Sequence, residues 1–330
     1  MTANTTIAAL DIGSNTVMTL VMQADEQGQM QVVDEFGEVT QLGAGANAKN
    51  GHCLRDEPMA RSLAAARRQL AQLRNRYRHF TLVAAATSAV RDAPNGAAFM
   101  HQCGQELALQ DAPTILSGAL EAEATFLGAA SAFPPHQAFI NIDPGGGSTE
   151  FSAGEPGQLG HAFSLPIGCV RWRDRFDLGE AFGNDAREHA AHAVRDAINS
   201  AGKDIADLQC AASKNGGRAV LSATGGTAAT LGAVLAAHHD FDRRLVHGRH
   251  CGVAKIAGLL ERIATMDCAT RQALPGMPPG RASVFPAGLI IMFSSMCALG
   301  HEKLIINCHG LRHGLISLLQ RGRLAPQLSV

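Results

Sequence analysis

Two short turns carry the residue types that could do chemistry. One reads Asp11-Ile-Gly13-Ser14-Asn15, the other Asp143-Pro-Gly145-Gly146-Gly147-Ser148-Thr-Glu150. Each opens on a carboxylate at the end of an apolar run, passes through glycine and closes on hydroxyl or amide side chains. Glycine lets backbone N–H groups turn outward and approach an anion closely. Carboxylates at the edge of such a loop suit a hard divalent cation that bridges to phosphate. Taken singly, the second stretch reads equally well as a plain Gly-rich turn. As a pair facing each other, the two could clamp a phosphate chain, each supplying N–H donors, with Asp11 and Asp143 holding a metal between them.

Two more residues stand out. Arg91, in Ala86-Thr-Ser-Ala-Val-Arg91-Asp, follows an apolar strand and can fork two donors onto phosphate oxygens. The alternative is a surface helix cap with Ser88 as the capping residue. Glu121 lies in the first turn of a predicted helix, where the dipole already favours a carboxylate.

The elements behind these residues repeat. Strands are predicted at 6–10, 17–22 and 31–39, a meander joined by short turns, then a helix over 57–77, a strand over 80–86, a helix over 96–107, a strand over 114–116 and a helix over 120–130. From Gln137 the order restarts, with strands ending at Asp143 and spanning 149–153 and 158–165. A helix over 185–201 and a strand over 218–223 follow, opening into Thr224-Gly-Gly-Thr227 and another helix. Helices over 252–266 and 281–299, a strand over 303–307 and a final helix to Gln320 complete the chain. Two acid–glycine–hydroxyl turns at equivalent points of a repeated strand order are the most informative feature of the sequence.

The helix over 57–77 places Met59, Leu63, Ala66, Leu70 and Leu73 on one face and carries Arg61, Arg67, Arg68, Arg74 and Arg76, with Arg78 just beyond. These arginines form either a solvated face or a track that steers a polyanion. Arg171, Arg173 and Arg175 around Trp172 border a cleft or a solvated surface. His238, His239, His247 and His250 share no helix face and are weak metal candidates.

Composition sets the class. The 330 residues, 46% hydrophobic and 17% charged, suffice for two globular domains. With 28 basic against 29 acidic residues, a polyanion must be held by a local patch or a metal, not by global charge. Nucleic acid and membrane are therefore not expected partners, and no apolar run approaches a bilayer span. Asp11 interrupts the first apolar segment, so no signal peptide is expected. The eight cysteines contain no Cys-x-x-Cys pair and are expected to be mostly buried, reduced thiols of a cytoplasmic protein.

The motifs, taken in order, resemble the exopolyphosphatase and guanosine pentaphosphate phosphatase (Ppx/GppA) family, short two-domain type, within the actin, sugar-kinase and Hsp70-like superfamily. The resemblance rests on Ala9-Leu-Asp-Ile-Gly-Ser-Asn15, the Arg91 segment, Ser117-Gly-x-x-Glu121-Ala and Ile142-Asp-x-Gly-Gly-Gly-Ser-Thr-Glu150. It rests further on Ser164-Leu-Pro-Ile-Gly168-x-Val-Arg171, Thr224-Gly-Gly-Thr227, Arg281-Ala-x-x-x-x-Ala-Gly288 and Gly310-Leu-Arg-x-Gly314. It implies an α/β fold of two duplicated actin-like (ribonuclease H-like) domains, each a mixed sheet with helices, with a cleft between them. Expected bounds are 1–124 and 125–307, with the last helix, within 308–330, packing back on the first domain. It also implies hydrolytic release of terminal phosphate from polyphosphate with Mg²⁺, or Mn²⁺ as the alternative, by a homodimer. Guanosine pentaphosphate is the alternative substrate. By resemblance Glu121 is the general base, Asp143 and Glu150 are the metal acids, and Asp11, Gly13, Ser14, Asn15, Arg91, Gly145, Gly146, Gly147 and Ser148 contact phosphate. A superfamily kinase and a non-catalytic alarmone or polyphosphate binder are the competing classes.

The sequence departs from the family pattern at Leu120 and Glu123, beside the expected base, and at Pro144 in the second turn. Near the C-terminus Cys308 and His313 replace usual acids.

Overall fold

A computed structural model describes residues 5–46, 50–213, 219–238 and 241–330. The chain divides into two compact units, residues 1–120 with 312–330, and residues 121–311. The first unit contains β1 (Thr6–Ile12), β2 (Thr16–Ala24), β3 (Met30–Val39), α1 (Asp56–Arg76), β4 (Thr81–Ala86), α2 (Ser88–Asp92), α3 (Gly96–Glu106) and β5 (Thr114–Ile115). α4 (Gly118–Ala130) begins at the boundary and carries the chain into the second unit. There follow β6 (Phe139–Pro144), β7 (Thr149–Glu155), β8 (Gln158–Leu165), α5 (Cys169–Phe176), α6 (Asn184–Ser200), α7 (Gly202–Ala212), β9 (Val220–Ala223), α8 (Gly225–Ala236), α9 (Arg243–Val246) and β10 (His250–Gly252). α10 (Val253–Ala264), α11 (Cys268–Gln272), α12 (Phe285–Ala298) and β11 (Lys303–Ile306) complete that unit, and α13 (Leu311–Gln320) and β12 (Leu328–Ser329) return to the first.

Both sheets are mixed, and their topologies match. In the first, β1, β2 and β3 form an antiparallel meander while β4 pairs parallel to β1 and β5 parallel to β4. In the second, β6, β7 and β8 repeat the meander, β9 pairs parallel to β6 and β11 parallel to β9. Even the irregularity is shared, with a register shift at Val21/Met22 in one meander and at Ala153/Gly154 in the other. β1 and β6 are buried almost throughout because each is hydrogen-bonded on both edges and covered on both faces. Each acid-bearing turn therefore emerges from the centre of a sheet, where the strand behind it is held most rigidly.

Several predicted bounds move. The last long helix starts at Phe285, not at 281, with Pro286 in its first turn, where a missing N–H costs nothing. α4 starts two residues earlier than expected, at Gly118. The arginines around Trp172 lie on a helix, α5, and α7 follows α6 directly; neither was anticipated. Arg218 and His239 lie outside the described residues.

The polyanion-track reading of α1 is not favoured. Arg61 pairs with Glu57, Arg67 with Glu106, Arg68 with Glu38 at 2.6 Å and Arg76 with Asp34, while Arg74 donates to the Leu107 carbonyl. The opposite face packs Leu63, Ala66, Leu70 and Leu73 into the core. Of the cysteines, Cys103, Cys169 and Cys251 are buried and Cys210 and Cys297 are exposed; all eight are free thiols. Burial pushes the Cys103 thiol up to about 12. No described helix is long and apolar enough to cross a membrane.

The chain end is stitched into the first sheet. β12 pairs antiparallel with β4, and Gln327 donates its N–H to Leu82 O while its Oε1 accepts from Ala84 N at 2.6 Å. Arg312, on α13, pairs with Glu35 at 2.6 Å.

Candidate active site

In the second unit, Pro144 and Thr149 close the β6–β7 pair, leaving residues 145–148 as the connection. Gly145 N–H donates to Ser148 O at 2.9 Å. The loop is pinned by its carbonyls. Gly145 O accepts from Cys169 N and Gly146 O from Val170 N, both at 2.9 Å, and Gly147 O accepts from Arg171 Nε at 3.1 Å. The described peptide bonds are all trans, so each carbonyl is opposed by the N–H of the following residue. The N–H groups of Gly146, Gly147 and Ser148 therefore face away from α5, and among the described residues no backbone carbonyl accepts them. Successive outward N–H groups in a turn are able to receive an anion. Gly168 makes it possible, because a Cβ there would lie 2.4 Å from Gly146 O.

Asp143 and Glu150 are direct cross-strand partners. Residues so paired project to the same face, with Cβ atoms about 4.5–5.5 Å apart. They are 9% and 3% exposed, so both carboxylates are buried. Glu150 Oε1 accepts from Ser148 Oγ at 2.7 Å and Ser164 Oγ at 2.8 Å, which fixes its orientation. The start of α8 packs against Asp143: Gly225 has φ +78°, and a Cβ there would fall 2.0 Å from Asp143 Oδ1. Thr227 Oγ1 donates to Pro144 O at 3.0 Å.

Pro144 also has an explanation. Gly145 N–H bonds across the turn, so by the alternation of an antiparallel ladder the nitrogen of residue 144 faces away from β7. On that side β9 pairs only as far as Ala223, opposite Ile142. No ladder bond is lost, and proline is tolerated.

Glu121 is 6% exposed, in the first turn of α4, whose start is capped by Ser117 Oγ accepting from Leu120 N at 3.2 Å. Leu120 thus contributes its N–H to the cap, which its side chain does not affect.

Two adjacent buried carboxylates on one face, beside outward N–H groups, fit Mg²⁺. This ion takes one or two carboxylates, keeps several waters and completes its octahedron with phosphate oxygens. Among the described residues no group of three or more His, Cys, Asp or Glu side chains is disposed to hold a metal. His247 stacks on His309, and no described site gathers the four histidines.

In the first unit, β1 and β2 close at Ile12 and Val17, and Gly13 N–H donates to Thr16 O at 2.9 Å. Ser14 O accepts from Gly43 N, and Asn15 O from Thr40 N and Gln41 N, so the Asn15 N–H faces away from residues 40–43. Ser14 Oγ lies 3.0 Å from Ser88 Oγ and accepts from Ala89 N at 3.1 Å, which joins the turn to the start of α2. Thr87, not Ser88, is the residue that precedes that helix. Arg91, one turn along, donates to Leu116 O at 3.2 Å and lies 3.4 Å from Asp92. Asn15 is buried, and neither atom of its side-chain amide has a hydrogen-bond partner among the described residues. Buried amides are normally satisfied, which makes Asn15 an exception at this turn.

The family model for "Ppx/GppA phosphatase family" matches residues 20–321. The chain belongs to the Ppx/GppA phosphatase family. It is 28% identical over 324 residues to exopolyphosphatase 2 of Mycobacterium tuberculosis, covering 95% of this chain and 98% of that protein. Among solved structures, an exopolyphosphatase from Cytophaga hutchinsonii superposes with TM-score 0.82 at 21% identity, over 96% of this chain and 98% of the other. A Ppx/GppA family member from Aquifex aeolicus gives 0.74 at 22%, over 97% and 99%. These likenesses establish the actin-like fold.

In this Ppx/GppA family member, each unit gathers its own share of the expected residues. The first brings Asp11, Gly13, Ser14 and Asn15 together with the α2 helix that bears Arg91. The second brings together Asp143, Gly145, Gly146, Gly147, Ser148 and Glu150. Three residues were missed as parts of the site: Arg171 and Gly168, which set the loop, and Ser164, which sets Glu150. All three lie in the Ser164-to-Arg171 motif, whose position after the meander was the available signal. At Thr224-Gly-Gly-Thr227 the space beside Gly226 holds the Arg281 guanidinium, 2.0 Å from where a Cβ would stand.

Proposed function

We propose that the chain is a Mg²⁺-dependent exopolyphosphatase that releases the terminal phosphate of inorganic polyphosphate. One observation carries this reading: the N–H groups of Gly146, Gly147 and Ser148 are turned outward beside the cross-strand pair Asp143 and Glu150. Phosphate oxygens at the chain end accept from these N–H groups. Asp11, Gly13, Ser14, Asn15 and Arg91 take further oxygens, the Asn15 amide finding there the partners it otherwise lacks. Asp143 and Glu150 would hold Mg²⁺, or Mn²⁺, which would supply positive charge against the phosphoryl oxygens. Ser148 and Ser164 keep Glu150 oriented for this role. Glu121 accepts the proton of the attacking water. Turnover depends mainly on positioning and electrostatics, as in phosphoryl transfer generally. The name of the Mycobacterium tuberculosis relative supports the polyphosphate substrate.

Guanosine pentaphosphate ends in the same group and is the alternative substrate. The test is phosphate release by purified protein from long polyphosphate, short polyphosphate and guanosine pentaphosphate, with and without Mg²⁺. Mg²⁺-dependent release, highest from polyphosphate, is expected. Preference for guanosine pentaphosphate reassigns the substrate. Tight binding of polyphosphate without release, or ADP formation from ATP and a sugar instead, overturns the reading.

A further inference from the structure

The segment 307–310, between β11 and α13 in the second unit, carries Cys308, one of the departures from the family pattern. It is a strap with three attachments. Asn307 N donates to Ala223 O at 2.8 Å, and its Nδ2 to Ala129 O at 3.0 Å. His309 N donates to Asn307 Oδ1 at 2.9 Å, and His309 Nδ1 lies 2.9 Å from Ser131 Oγ. Ala129 and Ser131 mark the end of α4, the helix that carries Glu121 roughly two turns earlier. At the far end of the strap, a Cβ on Gly310 would lie 3.4 Å from Thr224 and 3.8 Å from Asp143 Oδ2. The strap thus ties the end of the Glu121 helix to the surroundings of Asp143.

The third attachment is His247, which follows α9. Its Nδ1 accepts from Cys308 N at 3.1 Å, and its ring stacks on His309 with centroids 4.6 Å apart and planes 17° from parallel. The directions of these bonds assign both tautomers. Ser131 Oγ donates its one proton to Gly128 O at 2.7 Å, so it accepts from His309, which carries its proton on Nδ1. His247 Nδ1 faces an N–H and must be bare. A proton there abolishes the bond to Cys308 and sets two N–H groups against each other.

We infer that His247 is a positioning residue: its unprotonated Nδ1 latches the strap 307–310, and protonation releases it, loosening both the Glu121 helix and the surroundings of Asp143. Of the groups around His247, Arg243 on its own side carries a charge that acts on the ring, and the Cys308 backbone N–H and the His309 ring meet it from the strap. Burial, and secondarily the Arg243 charge, lower the affinity of His247 for a proton. The latch is therefore closed at neutral pH and opens as pH falls below the ordinary histidine range. Its link to turnover rests on the proposed hydrolysis; the latch itself does not.

Two variants test it. His247→Asn keeps an acceptor near the Nδ1 position but cannot titrate, and His247→Phe keeps a ring without an acceptor. Amide hydrogen exchange of the strap, corrected for intrinsic pH dependence, is read at pH 7.5 and 5.0. Expected is at least tenfold loss of protection at pH 5.0 in the wild type, protection at both pH values in His247→Asn, and at neither in His247→Phe. Equal loss in wild type and His247→Asn, or full protection in His247→Phe, overturns the latch. In phosphate release, kcat should fall on acidification further in the wild type than in His247→Asn, with KM little changed. If exchange switches while kcat profiles coincide, the coupling to the site is overturned. If no variant releases phosphate at any pH, the proposed hydrolysis fails, and exchange alone decides the latch.

Discussion

The turns at Gly13 and Gly145 are the same piece of backbone in different surroundings. Each closes with a glycine N–H donating to the carbonyl three residues on, at 2.9 Å. In each, a Cβ on that glycine would stand 3.1 Å from the accepting oxygen. They differ in what braces them. Residues 40–43 and the start of α2 hold the first, whereas the N-terminus of α5 and the Arg171 side chain hold the second. They differ also across the strand pair: Asp11 faces Met18, and Asp143 faces Glu150. A duplicated turn preserves N–H donors because backbone geometry supplies them. The proposed metal site needs a second carboxylate at one register position, and of the two turns the second has it.

This contrast can be broken by measurement. The largest effect is expected at Glu121, which belongs to neither turn. Glu121→Gln should lower kcat for phosphate release by about 10²–10⁴-fold while polyphosphate binding is retained. Near-normal turnover would remove Glu121 as the base. Next comes Glu150→Gln, which should raise the Mg²⁺ concentration needed for half-maximal turnover by about 10–100-fold. Its counterpart Met18→Leu should leave that requirement unchanged, and equal shifts in the two variants would erase the asymmetry. A smaller effect of mixed sign is expected from Asn15→Ala. Removing an unsatisfied buried amide should leave the ligand-free protein as stable as wild type or more stable by about 1 kcal/mol, while KM rises. Denaturant unfolding and kinetics on the same preparation read both. The smallest effect should come from Arg68→Ala, within about 0.5 kcal/mol of wild type with KM for long polyphosphate unaltered. A marked rise in KM would restore α1 as a polyanion track.

The repeated meander, both acid–glycine turns and the amphipathic α1 were legible because they follow from local rules: strand alternation, turn chemistry and the helical period. The arginines of α5 were not legible as a helix, because their spacing of two masked a short segment that buries Trp172, which donates to Ala190 O. The two-residue β12 has no pattern of its own and exists because β4 offers it an edge.

The sequence by itself determined the duplication, the family resemblance and the identity of the candidate phosphate loops. These reside in short runs whose conformation is set by their own residues. Tertiary structure alone decided which side of the second loop presents its N–H groups, since that depends on Cys169, Val170 and Arg171 taking the carbonyls. It decided that α1 spends its arginines on Glu57, Glu106, Glu38 and Asp34. It also decided that His247 meets Cys308 and His309 some sixty residues away. Such contacts join residues far apart in the chain, and no local periodicity encodes which of many compatible partners the packed core will bring together.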